Sequence, residues 1–387
     1  MKRFVIVVLD SVGVGAAPDA AAYACADTNT LGHVISAFPR ALPCMQSLGL
    51  GNILPLAGVP PVERPIAAWG KMQPQGAGMD TTSGHWEIAG TPLSQPFPTF
   101  PKGFPPEIME PFSAACGRGI LGNYPASGVE IIQNLGTAHV ESGKLIVYTS
   151  ADSVFQLAAH EEIVPPEQLY AYCRIARELL QGKYAVGRVI ARPFRDDGKG
   201  NYIRTENRRD FSLEPPVGNL LEACQAAGLP VCAVGKIYDI FAGKHIDRAL
   251  PGHNNRESML SLLQALEREE GGLIFANFVD FDMLYGHRND AEGYANALAA
   301  FDQALPELLS ALKEEDILAI CADHGNDPTT PSSDHSRENV PLLLYGAGLR
   351  PVSLGTRCSF ADLGQSAADY LGLKALNSGS SFLQEII

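Results

Sequence analysis

The chain of 387 residues contains no apolar run that approaches the roughly 20 residues of a membrane-crossing helix, and no internal repeat or low-complexity tract. It is also short of positive charge. Its 29 lysines and arginines stand against 43 aspartates and glutamates, a formal net charge of −14. Nucleic acids and anionic membranes are gripped by basic patches, so neither is an expected partner. The eight cysteines include no Cys-x-x-Cys pair, and several sit within apolar runs. That pattern suits reduced, buried thiols in the cytoplasm and argues against a disulfide framework. The opening MKRFVIVVLD has six apolar residues before Asp10, fewer than the about 7 to 15 of a secretory signal core. It reads as a first buried strand. What remains is an ordinary globular composition, 46% hydrophobic and 19% charged, with length enough for two domains.

Three apolar runs end in chemistry. Ile317 to Cys321 is followed by ADHGND, which carries Asp323 and His324, with His335 eleven residues beyond His324. Leu273 to Val279 is followed by Asp280, Asp282 and His287, and Phe4 to Leu9 by Asp10 and Ser11. Runs of this length bounded by turn residues read as buried strands, and open α/β sheets keep their chemistry at strand carboxyl ends. An aspartate after a strand is commonly only a helix cap or turn residue. Three such sites together, however, supply enough carboxylates and imidazoles for two divalent cations. Periodicity does not choose between Asp280 and Asp282. Asp327 and Asp334 also lie within reach, the latter as a group that would orient His335.

Further apolar runs at Leu145 to Tyr148, Val186 to Ile190, Val231 to Val234 and Val340 to Tyr345 complete the pattern. Beyond residue 216 they alternate with helical stretches, Arg256 to Arg268 and Glu292 to Lys313, the second with a kink expected near Pro306. Such alternation predicts a parallel sheet covered on both faces. Because Asp10 and its chemical partners beyond 280 must share one domain, residues 1–97 and 216–387 form a discontinuous metal-binding core. Residues 98–215 are then an inserted, smaller α+β cap, entered through the proline-dense Thr91 to Pro106 and left through Pro215 and Pro216.

Between Gly76 and Gly90, glycine-rich flanks surround Thr81, Thr82 and Ser83. Hydroxyls on a turn often serve as caps, yet beside a cation one of them becomes a nucleophile, and spacing alone does not say which. Arginines 188, 192, 195, 204, 208 and 209 crowd one stretch of an otherwise acidic chain. Part of this is a solvated face, but guanidinium forks are also the preferred partners of phosphate oxygens. The substrate suggested is a small phosphorylated molecule.

The motifs VVLDSVGVGAAPDA, DTTSGHWEIAG, YTSADSVFQLAAHEE, VGRVIARPF, FVDFDMLYGHRND and ADHGNDP with DHSRENVPLL resemble, in order and over nearly the whole chain, the prokaryotic phosphopentomutases of the alkaline phosphatase superfamily. The resemblance implies an alkaline-phosphatase-like doubly wound core and an isomerase of pentose phosphates, ribose 1-phosphate with ribose 5-phosphate and the 2-deoxyribose pair. It implies two manganese ions, one on Asp282, His287 and His335, the other on Asp10, Asp323 and His324. It makes Thr81 the phosphorylated residue, primed by a bisphosphate sugar such as glucose 1,6-bisphosphate or ribose 1,5-bisphosphate. Substrate contacts are implied for Ser150, Asp152, Val154, Arg188, Ile190, Arg204 and Lys236. Met79, Ser83 and Arg209 depart from the family pattern and put fine positioning and substrate preference in question. The alternative on the same core is a metal-dependent phosphomonoesterase or phosphodiesterase.

Overall fold

The computed structural model describes residues 2–150, 152–268 and 271–387, which leaves Ala151 of the SADSV motif outside the described residues. The chain divides into two compact units, one of residues 1–96 and 215–387, the other of residues 97–214. The first unit contributes strands β1 (Arg3–Leu9) and β2 (Ala68–Met72). The second holds β3 (Ile120–Pro125), β4 (Leu145–Thr149), β5 (Val154–His160), β6 (Arg188–Asp196), β7 (Tyr202–Arg204) and β8 (Arg209–Ser212). The chain then returns to the first unit with β9 (Val231–Val234), β10 (Arg248–Leu250), β11 (Gly272–Phe278), β12 (Asp316–Cys321), β13 (Val340–Tyr345) and β14 (Ser353–Arg357).

The first unit is built on one eight-stranded sheet of order β10-β9-β11-β1-β12-β13-β2-β14. Strand β1 lies between β11 and β12, parallel to both, and all seven of its residues are buried. That is why its sequence is continuously apolar after Arg3, since a strand covered on both faces has no solvent side to alternate with. Register carries the consequence. Leu9 pairs with Phe278 and Val8 with Cys321, so the three strands end at one sheet edge and deliver their carboxyl-terminal loops to the same place.

One expectation needs correction: the sheet is mixed, because β13 runs antiparallel to both β12 and β2. The segment between β12 and β13 contains no helix to carry the chain back across the sheet face, and a parallel return requires such a crossover. The helix Ala291–Ala311 is one continuous element with Pro306 inside it.

The second unit is a sheet of order β3-β4-β5-β6-β7, with β8 also paired to β6. Alternation along its strands feeds two cores. Leu145, Val147, Phe155 and Leu157 pack with Phe112, Leu169 and Cys173 on one face, while Ile146, Tyr148 and Ala158 pack with Ile131, Ile132 and Phe194 on the other. Within the expected strand Val186 to Ile190, the residues before Arg188 belong to the connection, so β6 begins two residues later and extends to Asp196.

Candidate active site

Asp10, Asp323 and His324 come together just past the ends of β1 and β12, with exposures of 0%, 2% and 2%. His324 Nε2 lies 3.4 Å from both Asp10 Oδ1 and Asp323 Oδ2. Asp282, at the start of the turn after β11, lies beside them. Its carboxylate stands 3.2 Å from His287 Nε2 and 3.3 Å from His335 Nε2, and those two nitrogens are 3.1 Å apart. The rings of His324 and His335 lie 4.1 Å apart between centroids, tilted by 35°, so the two clusters adjoin. Within 4.8 Å of one another lie the donor atoms of Asp10, Asp323 and His324, and likewise those of Asp282, His324 and His335.

Tautomers reveal what the clusters want. His287 Nδ1 is 2.7 Å from the Ser333 carbonyl and His324 Nδ1 is 3.0 Å from the Gly325 carbonyl. A carbonyl only accepts, so each Nδ1 carries a hydrogen, and an Nε2 without one of its own would turn a lone pair toward carboxylates. Lone pairs facing anions at such distances repel unless a positive charge stands among them. Asp323 Oδ2 is buried without a well-aligned hydrogen bond, its nearest polar neighbours being His85 Nδ1 at 3.1 Å and His324 Nε2 at 3.4 Å. These donors, imidazole nitrogens and carboxylate oxygens with no thiolate, suit a divalent cation. The protonation energetics express the same demand. Burial opposes charge on His324, yet Asp323, Asp10 and Asp282 hold its pKa at about 10. Burial likewise works against Asp323, but His324 and His85 hold it at about 2, and His335 and His287 keep Asp282 well below the usual carboxylate range despite its own burial.

Of the two aspartates left open by periodicity, Asp282 joins the cluster. Asp280 instead accepts from the Asn255 amide at 2.8 Å and donates its own amide to the Asn255 side chain at 3.0 Å. Asp327 is buried and occupied in holding its loop, with His33 Nδ1 at 2.6 Å and the Asn29 amide at 3.0 Å. Asp334 is exposed, and its backbone amide donates to the Ser332 hydroxyl at 3.1 Å.

Thr81 and Ser83 have different surroundings. Asp80 caps the helix Thr81–Ile88, accepting from the Ser83 amide at 3.1 Å while Ser83 Oγ receives the Asp80 amide at 3.2 Å, a reciprocal capping box. Ser83 is therefore consumed by the helix start. Thr81 is 8% exposed and its Oγ1 lies 3.2 Å from His324 Nε2 and 3.5 Å from Asp10 Oδ1. This close approach requires glycine one turn on, because a Cβ on Gly84 would stand 2.2 Å from the Asp323 carbonyl oxygen. The loop ahead of Thr81 is gripped by buried Arg337, whose guanidinium donates to the carbonyls of Gly76, Gly78 and Pro74 at 2.5, 2.8 and 3.1 Å and pairs with Asp19 at 2.9 Å. Sequence reading missed Arg337, and also His85, Asn277 and Asn326, buried polar groups around the clusters. The signal available was the placement of polar residues inside otherwise apolar or glycine-rich motifs.

In the second unit, Ser150, Asp152, Val154, Arg188 and Ile190 line a single pocket of 260 Å³ together with Arg192, Arg208, Gln156 and residues 126–128. Arg192 is aimed by Tyr148 Oη at 2.9 Å and by Gln156 Oε1, 2.9 Å from its Nη2. Arg204 is not among the lining residues, because β7 pairs Arg204 with Phe194, at the far end of β6 from Arg188. Lys236 belongs to the first unit, half-buried ahead of the short helix Ile237–Ile240. Arg209 also has a structural explanation: its guanidinium lies over the rings of Tyr170 and Phe211, at 5.3 and 5.5 Å, rather than in the pocket lining.

A mixed α/β sheet that gathers buried carboxylates and imidazoles beside a helix-borne hydroxyl defines a metal-dependent enzyme, and residues 2–375 match the metalloenzyme superfamily. The phosphopentomutase of Caldanaerobacter subterraneus subsp. tengcongensis is 53% identical over 100% of this chain and 98% of its own, and that of Desulfitobacterium hafniense is 54% identical over 100% of both. This chain belongs to the phosphopentomutase family and is a mutase, an isomerase acting on sugar phosphates. Leishmania mexicana phosphoglycerate mutase, at 13% identity and a TM-score of 0.50 over 100% of this chain and 98% of that one, shares the fold. Family and donor clusters together imply use of a divalent metal. No helix among the described residues is long and apolar enough to cross a membrane.

Proposed function

We propose that the enzyme interconverts ribose 1-phosphate and ribose 5-phosphate, and the 2-deoxyribose pair, through a phosphorylated Thr81. The observation that carries this reading is the placement of Thr81 Oγ1, alone of the three neighbouring hydroxyls, against His324 and Asp10 in a buried cluster. In the forward half-reaction a sugar hydroxyl attacks the phosphorus of phospho-Thr81. The new P–O bond forms on the sugar, the bond to Oγ1 breaks, and a pentose 1,5-bisphosphate results. After reorientation the freed Oγ1 attacks the other phosphate, and the product leaves with phosphate at the exchanged position.

Two manganese ions, one on Asp10, Asp323 and His324 and one on Asp282, His287 and His335, would neutralise the transferring group and lower the pKa of the threonine hydroxyl. The capping box and the Arg337 grip hold Thr81 in place for in-line attack, which is where positioning contributes most to such a transfer. Ser150, Asp152, Val154, Arg188 and Ile190 are assigned to substrate recognition, with Lys236 as a further contact and Arg204 set aside because it lies outside the pocket lining; the fork of Arg188 suits phosphate oxygens. An unphosphorylated Thr81 cannot begin the cycle, so a bisphosphate sugar, glucose 1,6-bisphosphate or ribose 1,5-bisphosphate, primes it. The cytoplasm is the assigned compartment.

Incubation with radiolabelled glucose 1,6-bisphosphate followed by peptide mapping tests the scheme. Label on the Thr81 peptide and loss of mutase activity in Thr81→Ala are expected. An unlabelled Thr81, or a fully active Thr81→Ala enzyme, rejects it.

A further inference from the structure

Asn277 and His85 are both fully buried and neither belongs to the donor clusters. Asn277 is the penultimate residue of β11 and pairs in register with Val8, which aims its side chain toward the residue two places beyond, Asp10. Its Nδ2 lies 3.0 Å from Asp10 Oδ2 and 3.2 Å from His85 Nε2. His85 Nδ1 in turn lies 2.8 Å from the Thr81 carbonyl and 3.1 Å from Asp323 Oδ2.

Hydrogen placement is set by the acceptors. Both neighbours of His85 Nδ1 are oxygens that only accept, so Nδ1 carries the ring's hydrogen. Nε2 then has a lone pair to receive one amide hydrogen of Asn277, while the other goes to Asp10. A protonated His85 would set two donors against each other across 3.2 Å. Hydrogen bonds therefore run from Asp10 through Asn277 and His85 to the Thr81 carbonyl, and the same Nδ1 touches Asp323 Oδ2.

We propose that Asn277 and His85 are positioning residues, a neutral bracket that fixes Asp10, Asp323 and the Thr81 backbone relative to one another so that the Asp10–Asp323–His324 cluster is shaped for its cation. This inference rests on the metal reading above. A lysine or arginine in the same place would also bind the carboxylates, but its charge would take the cation's role. An amide and a neutral imidazole orient them and leave their negative charge available. Stability alone does not account for the amide, because Asn277 Oδ1 is buried without a partner, which disfavours the folded state. Groups that orient metal ligands typically change metal affinity by about 10- to 100-fold when removed.

The test uses the full chain loaded with Mn²⁺, dialysed against graded concentrations of a chelating buffer, with bound manganese per chain counted by atomic emission. Wild type, Asn277→Ala, His85→Asn and His85→Leu are compared. In Asn277→Ala and His85→Leu, one ion of the pair should leave at about 10- to 100-fold higher free Mn²⁺ than in wild type, with the other little changed. His85→Asn places an amide hydrogen where Nδ1–H was and should recover most of the loss seen in His85→Leu. Turnover should fall in the two weakened variants while KM for ribose 5-phosphate stays near the wild-type value. Wild-type retention of both ions in Asn277→Ala, or parallel release of both, overturns the proposal. If Asn277→Ala does not fold, equal manganese loss in His85→Asn and His85→Leu overturns it. A wild-type chain that never holds two ions would instead refute the metal reading itself.

Discussion

Oγ1 of Thr81 lies 3.2 Å from Nε2 of His324, at the first residue of a helix whose fourth residue, Gly84, packs against the backbone of Asp323. Hydroxyl and cluster are thus placed by one close contact between a helix and a strand-end loop. Thr81→Ser keeps the oxygen and should retain measurable mutase activity, whereas Thr81→Ala should lose at least about a thousandfold in kcat. Ser83→Ala breaks half of the capping box by removing the acceptor of the Asp80 amide and should cost about 0.5–1.5 kcal/mol in a denaturant melt, with far smaller loss of activity than Thr81→Ala.

Gly84→Ala is predicted to be severe. The added methyl would meet the Asp323 carbonyl at 2.2 Å, a backbone atom that cannot step aside without moving the cluster. A coupled assay of ribose 1-phosphate formation should show kcat reduced by about 100-fold or more, since displacements near 1 Å cost that much. Near-wild-type turnover would show that the helix does not need this approach.

His335→Ala removes one imidazole facing Asp282 and leaves the carboxylate and His287 behind. After chelation and re-addition of Mn²⁺, wild-type activity should return and that of the variant should not. Recovery in the variant would take His335 out of the site.

Metal retention should depend on pH with a definite sign. In the metal-free protein, burial disfavours charge on His324, but Asp323 and Asp10 raise its pKa to about 10, above the roughly 6.5 of an unfolded histidine. Its stabilising contribution is full below pH 6.5 and is lost as pH climbs toward 10, so the stripped protein should melt at lower temperature across that window. Cation binding must expel the same proton, so affinity for Mn²⁺ should rise through that range. A flat affinity profile would contradict the protonation of His324.

Thiol labelling tests the burial pattern. Cys358 is exposed, whereas burial pushes the Cys116 and Cys224 thiols up to about 12, and burial with Asp302 pushes Cys44 up to about 11. Iodoacetamide at neutral pH should modify Cys358 fast and these three slowly, read by mass spectrometry, because the thiolate is the reactive form.

Some of this molecule is written locally in its chain. The apolar runs before Asp10, Asp280 and Asp323 announce buried strands because a strand covered on both faces must be continuously apolar, and each run is followed by carboxylates at the end where such sheets do their chemistry. What no local pattern contains is which distant groups meet. Tertiary packing chose Asp282 over Asp280, because the turn after β11 sends one to the imidazoles and the other to Asn255. It gave Ser83 to the helix cap and set Thr81 Oγ1 against His324. It set Arg209 on two rings and turned β13 antiparallel for want of a crossover helix. Residue types and periods are dictated by neighbours along the chain, whereas orientation at a site is dictated by hydrogen bonds and contacts closed across hundreds of residues.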